Sequence, residues 1–129
     1  MNISSSWLRT FLSGESDEPL VISTTGTSGN VKKIEIPRQA LLATSKAANK
    51  FLGAKPGEIW SLLLPTNHIA GINVLTRAFL LGTEVVSVKD HANYSAIVPT
   101  QLFSALNGDY ELLTHLKNCK KVLIGGAKL

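Results

Sequence analysis

Ile59-Trp60-Ser61-Leu62-Leu63-Leu64-Pro65 is the stretch that decides the fold. It is a continuous apolar run stopped by a proline, and it reads as a strand that is apolar on both faces. A strand of that kind has to be covered by helices on both sides, which is the situation of a largely parallel sheet. Val122-Leu123-Ile124 has the same character. Downstream of Pro65, residues Ile69 to Leu81 keep helical spacing and Gly82 caps them. Glu84 to Val88 and Tyr94 to Val98 read as strands, the second stopped by Pro99. Helices over 99–106 and 109–118, split by Asn107-Gly108, precede a last strand at Lys121 to Ile124, which Gly125-Gly126 ends.

Working upstream, Pro56-Gly57 is a turn. Ala40, Leu41, Ala43, Thr44, Ala47, Ala48, Phe51 and Leu52 form a helical stripe with Pro37 in its first turn and Gly53 at its end. Val31 to Ile36 and Leu20-Val21-Ile22 are strands. Trp7, Leu8, Phe11 and Leu12 fit a short amphipathic helix, and a polar linker follows from Gly14 to Glu18. The expected organisation is an N-terminal helix and linker over 1–18, then one unit over 19–129. Strands that alternate with helices make the fold class α/β, a mainly parallel sheet flanked by helices.

Composition narrows the function classes. The chain has 129 residues, one cysteine and a formal net charge of +4. That excludes a disulfide framework and a cysteine zinc site. Lys32, Lys33, Arg38, Lys46, Lys50 and Lys55 oppose only Glu35 between residues 30 and 56. Without interleaved aromatics this block is a solvated face with one or two anion contacts, and no nucleic-acid partner is expected. The greasiest region, Ile69 to Val88, contains Asn73, Arg77, Thr83 and Glu84. No membrane span is expected there, no secretory signal is expected at the start, and the expected location is the cytoplasm.

The chemistry concentrates in Ser23-Thr24-Thr25-Gly26-Thr27-Ser28-Gly29-Asn30, which follows a strand and holds no hydrophobic residue. Four hydroxyls and two glycines between Thr24 and Gly29 can present several donors to one anion. Lys32 adds a mobile positive charge, and nucleotide phosphates are the natural guest. An ordinary surface turn with a solvated lysine is the competing reading. The P-loop pattern fails, because Gly26 and Gly29 are too close together and Lys33 follows Lys32. The lipase elbow fails too, since Gly26-Thr27-Ser28-Gly29 is one residue short.

Val21 to Lys32 resembles the phosphate-binding loop of the adenylate-forming acyl-CoA synthetases, with Val31 for the usual proline and Lys33 for the following glycine. Leu63-Leu64-Pro65-Thr66-Asn67-His68-Ile69-Ala70-Gly71, Val98-Pro99-Thr100-Gln101-Leu102 and Leu123-Ile124-Gly125-Gly126-Ala127 continue the resemblance in the same order. Together they cover roughly residues 19–129. They narrow it to a menaquinone-pathway branch whose acid carries two carboxylates.

The resemblance implies part of a large N-terminal adenylation domain. It implies ATP, Mg²⁺ and coenzyme A as cofactors and co-substrate, a small-molecule carboxylate as substrate, and leaves room for a homo-oligomer. It implies Lys32 and His68 as candidate catalytic residues. Nucleotide contacts would come from Thr24, Thr25, Gly26, Thr27, Ser28, Gly29, Lys32, Gly125, Gly126 and Ala127. Acid contacts would come from His68, Gly71, Thr100 and Gln101. No metal ligand is assigned. The family's later motifs are absent, so the expectation is the first part of an enzyme, inactive alone. Another acyl- or aryl-CoA ligase, an adenylation domain, or a non-catalytic nucleotide-binding remnant are the alternatives.

Three other residues need an account. Arg77 lies inside an otherwise apolar helix, where a protein carboxylate, an outward snorkel or a substrate carboxylate could take it. His115 and Cys119, four apart on a helix, read as structural, since two ligands make no zinc site. Trp60 and Phe79 read as core.

Overall fold

A computed structural model describes residues 2–25 and 29–125, with Thr25 described by its backbone alone. Its elements are α1 (Ser5–Leu12), β1 (Leu20–Thr25), β2 (Val31–Ile36), α2 (Arg38–Leu52), α3 (Ile69–Leu81), β3 (Tyr94–Ile97), α4 (Pro99–Leu106), α5 (Tyr110–Lys117) and β4 (Lys121–Ile124).

Two sheets result. β1 and β2 pair antiparallel, from Leu20 opposite Ile36 to Thr25 opposite Val31. The short connection between them dictates this, because a parallel pair needs a crossover of roughly a dozen residues. The second sheet is parallel. β3 pairs with β4 from Tyr94–Lys121 to Ile97–Ile124, and bridges join Trp60 to Tyr94 and Ser61 to Val86. Four stretches therefore lie side by side in the order Val86, Trp60–Ser61, β3, β4.

The strands expected over Ile59 to Leu64 and Glu84 to Val88 shrink to these bridges. For the first of them the reason is competition by side-chain amides. Asn93 Oδ1 accepts from the Ile59 N–H at 2.8 Å, and Gln101 Nε2 donates to the Leu63 carbonyl at 2.8 Å. Each takes a backbone group that a longer ladder would have used. Pro37 sits one residue before its helix, as the N-cap of α2, rather than inside the first turn.

α3 organises the core. Ile72 and Leu75 join Leu8, Phe11, Leu12, Leu20, Ile22 and Leu41 on one side. Val74, Ala78 and Leu81 join Leu52, Trp60, Tyr94 and Ala96 on the other. α1 thus shares a core with β1, α2 and α3, and an Arg9–Glu84 ion pair and an Arg38 Nε bond to the Phe11 carbonyl (2.7 Å) tie it further.

Gly71 makes the central packing possible. A Cβ there would stand 2.1 Å from the Pro65 carbonyl oxygen and 2.8 Å from that of Leu64. Only a residue without a side chain lets α3 approach the turn that ends the apolar run. Replacing Gly71 with Ala should destabilise the protein by about 1–3 kcal/mol, despite alanine's better helix propensity. Urea denaturation checks this, with Gly82→Ala as a control of a different kind: open space surrounds Gly82, and only its φ of 75° is strained.

Glu58 knots the far end of the sheet. Its carboxylate accepts from Tyr94 OH at 2.7 Å, Lys120 Nζ at 2.5 Å and the Lys55 N–H at 2.8 Å. Lys120 first, then Tyr94 and the Lys55 amide, hold its pKa down at about 2. Burial and the same carboxylate push the Tyr94 hydroxyl up to about 12. A depressed carboxyl pKa contributes stability that is complete above its ordinary value and disappears as pH falls through the folded value. The acid limb of stability between about pH 5 and pH 2 should therefore flatten in Glu58→Gln, alongside a lower Tm at pH 7. Thermal melts across that range decide it.

Candidate functional site

The sequence-selected loop sits at the end of the β1–β2 hairpin. Register separates its two lysines. Lys32 stands opposite Thr24 on the same face as Leu20, Ile22 and Ile36, which turn toward the core, and Ile34, which is exposed. Lys33 pairs with Ser23 on the opposite face. Lys32 is exposed and Thr24 half-buried. Gly29 has a φ of 81°, a left-handed conformation suited to glycine, with open space around it. Gly26, Thr27, Ser28, Gly126 and Ala127 lie outside the described residues.

The turn after the apolar run lies beside this hairpin. Val21, Ile22 and Ser23 share a hollow of about 230 Å³ with Asn67. The next residue, His68, is the N-cap of α3; it is exposed and its ring makes no capping bond. A core role for this histidine is therefore excluded.

Next to His68 opens a mostly apolar cleft of about 370 Å³. α3 supplies Ile69, Ala70, Asn73 and Arg77, positions that share one helix face. Ala96, Ile97 and Val98 from the end of β3, Ile124 and Gly125 from the end of β4, and Leu64 complete it. The carboxyl end of a parallel sheet is where α/β folds gather ligands.

Arg77 is the charged group of this cleft. It neither pairs with a carboxylate among the described residues nor snorkels free. Its guanidinium carbon lies 4.9 Å from the centre of the Trp60 ring, and its Nε is buried without a hydrogen-bond partner. Burial lowers its pKa from the ordinary arginine value, yet an arginine stays charged at neutral pH.

The remaining selected residues divide by environment. Gly71 is buried against Pro65 and serves packing. Gln101 has both ends of its amide occupied, Oε1 by the Val98 N–H at 2.9 Å and Nε2 by the Leu63 carbonyl. It clamps the start of α4 to the end of the apolar run. Thr100 is exposed on the first turn of α4. Gly125 follows β4 and donates its N–H to the Ile97 carbonyl at 3.1 Å, at the cleft wall. Asn73 was legible but not selected: its spacing of four from both Ile69 and Arg77 puts it on the cleft face.

His115 and Cys119 are structural, as the sequence suggested. His115 Nε2 lies 2.8 Å from Ser61 Oγ and 3.1 Å from Ser95 Oγ, those two hydroxyls bond each other, and Cys119 Sγ is 3.2 Å from Ser95 Oγ. Desolvation lowers the imidazole pKa against the opposing pull of the Val88 and Asp90 carbonyls. No group of three or more His, Cys, Asp or Glu among the described residues could hold a metal ion.

In sequence and fold this chain is similar to AMP-forming acyl-CoA synthetases. No protein-family model matches it. Its curated relatives include 2-succinylbenzoate–CoA ligases: a probable one from Mycobacterium tuberculosis is 33% identical over 130 aligned positions, covering 87% of this chain and 33% of the relative. An acyl-CoA synthetase (AMP-forming)/AMP-acid ligase II-like protein from Dyadobacter fermentans superposes with a TM-score of 0.75 at 28% identity, over 92% of this chain and 37% of that one. The o-succinylbenzoate coenzyme A synthetase of Bacillus subtilis, solved with AMP, gives 0.63 at 22% identity over 84% and 31%, a likeness of fold. The chain spans about a third of the length of the first of these relatives.

The exposed position of His68 generates a test. His68→Ala should leave stability within about 0.5 kcal/mol, as for other surface positions. A drop in Tm of the size a core truncation produces would contradict the exposed placement.

Proposed function

We propose that this chain forms the phosphate- and acid-binding part of an ATP-dependent carboxylate–CoA ligase, with 2-succinylbenzoate as the acid, serving menaquinone biosynthesis in the cytoplasm. The observation that carries the reading is Arg77. A charged guanidinium with a buried, unpartnered Nε, at an apolar cleft with no protein carboxylate on it, calls for an anionic ligand with an apolar body. An aromatic acid with a second carboxylate has that chemistry. One carboxylate meets Arg77 and the other is left free to react.

In the reaction, a carboxylate oxygen attacks the α-phosphorus of ATP. The bond to pyrophosphate breaks and an acyl-adenylate forms. The thiolate of coenzyme A then attacks the acyl carbon, and AMP leaves. The carboxylate is already ionised at pH 7, so the first step needs no general base. The protein's work is positioning and charge stabilisation.

Residues of the hairpin turn, Thr24, Thr25, Gly26, Thr27, Ser28 and Gly29, would donate to the β- and γ-phosphates. Lys32 would neutralise them from across the ladder. Gly125, Gly126 and Ala127 would bound the nucleotide at the end of β4. His68 and Thr100, exposed outside the wall of the cleft, would meet the acid at its mouth. Gly71 and Gln101 would shape it through the backbone they hold. Mg²⁺ would arrive with the phosphates, since the described residues offer no carboxylate cluster for it. It would supply further charge neutralisation.

Expressed from its full reading frame, the protein should release pyrophosphate from ATP in a 2-succinylbenzoate-dependent manner. Lys32→Ala should lower kcat/KM for ATP about 10–100-fold, the loss of one charge-assisted contact of about 1.5–3 kcal/mol, and shift the KM for the acid less than twofold. An unchanged ATP dependence removes the loop from the site. Preference for a monocarboxylate removes the assigned acid.

A further inference from the structure

We propose that Trp60, held by Asn49, is a positioning residue for the acid: the indole is the platform that aims the Arg77 guanidinium into the cleft. The inference rests on the reading of Arg77 as the acid-binding group and deepens it. Three elements distant in sequence meet here. Trp60 is wholly buried in the central stretch of the parallel sheet, Asn49 is buried on α2, and Arg77 is half-buried on α3.

The three residues form a closed set of contacts. Trp60 Nε1 donates to Asn49 Oδ1 at 3.1 Å, which fixes the indole. Asn49 Nδ2 donates to the Arg77 carbonyl at 3.1 Å, which fixes the backbone that carries the guanidinium. The guanidinium lies 4.9 Å from the indole centre. Tyr94 packs on Trp60 with ring centres 5.4 Å apart, so the platform is braced within the sheet.

This arrangement differs in kind from a salt bridge. A protein carboxylate would hold the arginine by occupying its N–H groups. An aromatic face holds the cation through the ring quadrupole and leaves the N–H groups, which point outward in the guanidinium plane, free for a ligand. Asn49 can satisfy both neighbours because an amide carries an acceptor and a donor at once. Neither leucine nor aspartate at 49 could do both.

The test uses steady-state kinetics on the protein expressed from its full reading frame, with 2-succinylbenzoate and benzoate as acids. Trp60→Leu should raise the KM for 2-succinylbenzoate about fivefold to thirtyfold, with kcat per folded molecule and the ATP KM within twofold. Trp60→Phe, which restores an aromatic face, should recover most of that loss. A purely structural tryptophan would instead lower the folded fraction in both variants and leave the KM for the acid unmoved, and that result overturns the proposal.

Arg77→Gln separates the two layers. If it leaves the KM for 2-succinylbenzoate unchanged, the acid-binding reading falls and the platform with it. If it raises that KM while Trp60→Leu does not, the platform alone falls. Should Trp60→Leu not fold, the protein is labelled with 5-fluorotryptophan and the Trp60 resonance is assigned with Trp60→Phe. That ¹⁹F resonance should shift on titration with 2-succinylbenzoate but not with benzoate, and no shift overturns the proposal.

Discussion

Helix α3 has to be buried from two sides at once, and the rest of the molecule follows from how that is achieved. Ile72 and Leu75 face the cluster built on α1, β1 and α2, while Val74, Ala78 and Leu81 face the cluster built on the parallel sheet. The helix can sit there because Gly71 lets its first turn rest against the Pro65 and Leu64 carbonyls. At normal packing density there is no slack to absorb an added methyl group at that contact. The same seating fixes the functional face: once the apolar positions are buried, Ile69, Asn73 and Arg77 are left to line the cleft at the end of β3 and β4.

Side-chain amides do much of the joining between elements. Asn93 and Gln101 close the two ends of the central apolar stretch, and Asn49 links α2 to both Trp60 and α3. Each satisfies backbone groups or an indole that burial would otherwise leave unpaired, a lapse that costs about 1–3 kcal/mol per group. Such joints also orient. Gln101 fixes the start of α4 relative to Leu63, and Asn49 fixes Trp60 relative to Arg77. Shape at the cleft is thus tied to polar satisfaction in the core.

In the proposed reading the hairpin and the cleft divide the chemistry between them. The hairpin would offer hydroxyls, glycines and one register-selected lysine to phosphate oxygens. The cleft, with its apolar walls and one half-buried cation, would take an organic anion. Asn67 and His68 lie between the two, at the turn that ends the central stretch. A reaction that joins a carboxylate to a nucleotide phosphate needs both kinds of surface within reach of each other.

Read alone, the sequence determined the element order closely. Val31–Ile36, Ile69–Leu81 and Lys121–Ile124 coincide with the observed elements, because proline, glycine and unbroken apolar periodicity act locally. It also read His115 and Cys119 as structural, and their setting is a buried hydroxyl network. It overestimated the strands at Ile59–Leu64 and Glu84–Val88; at the first, Asn93 and Gln101 take over backbone groups from far along the chain. It left Arg77 open among three environments and passed over Asn73 and Asn49. Those outcomes belonged to the tertiary structure alone. Whether an arginine meets a carboxylate, water or an indole depends on which residues 17 or 28 positions away are folded against it, and no local pattern carries that information.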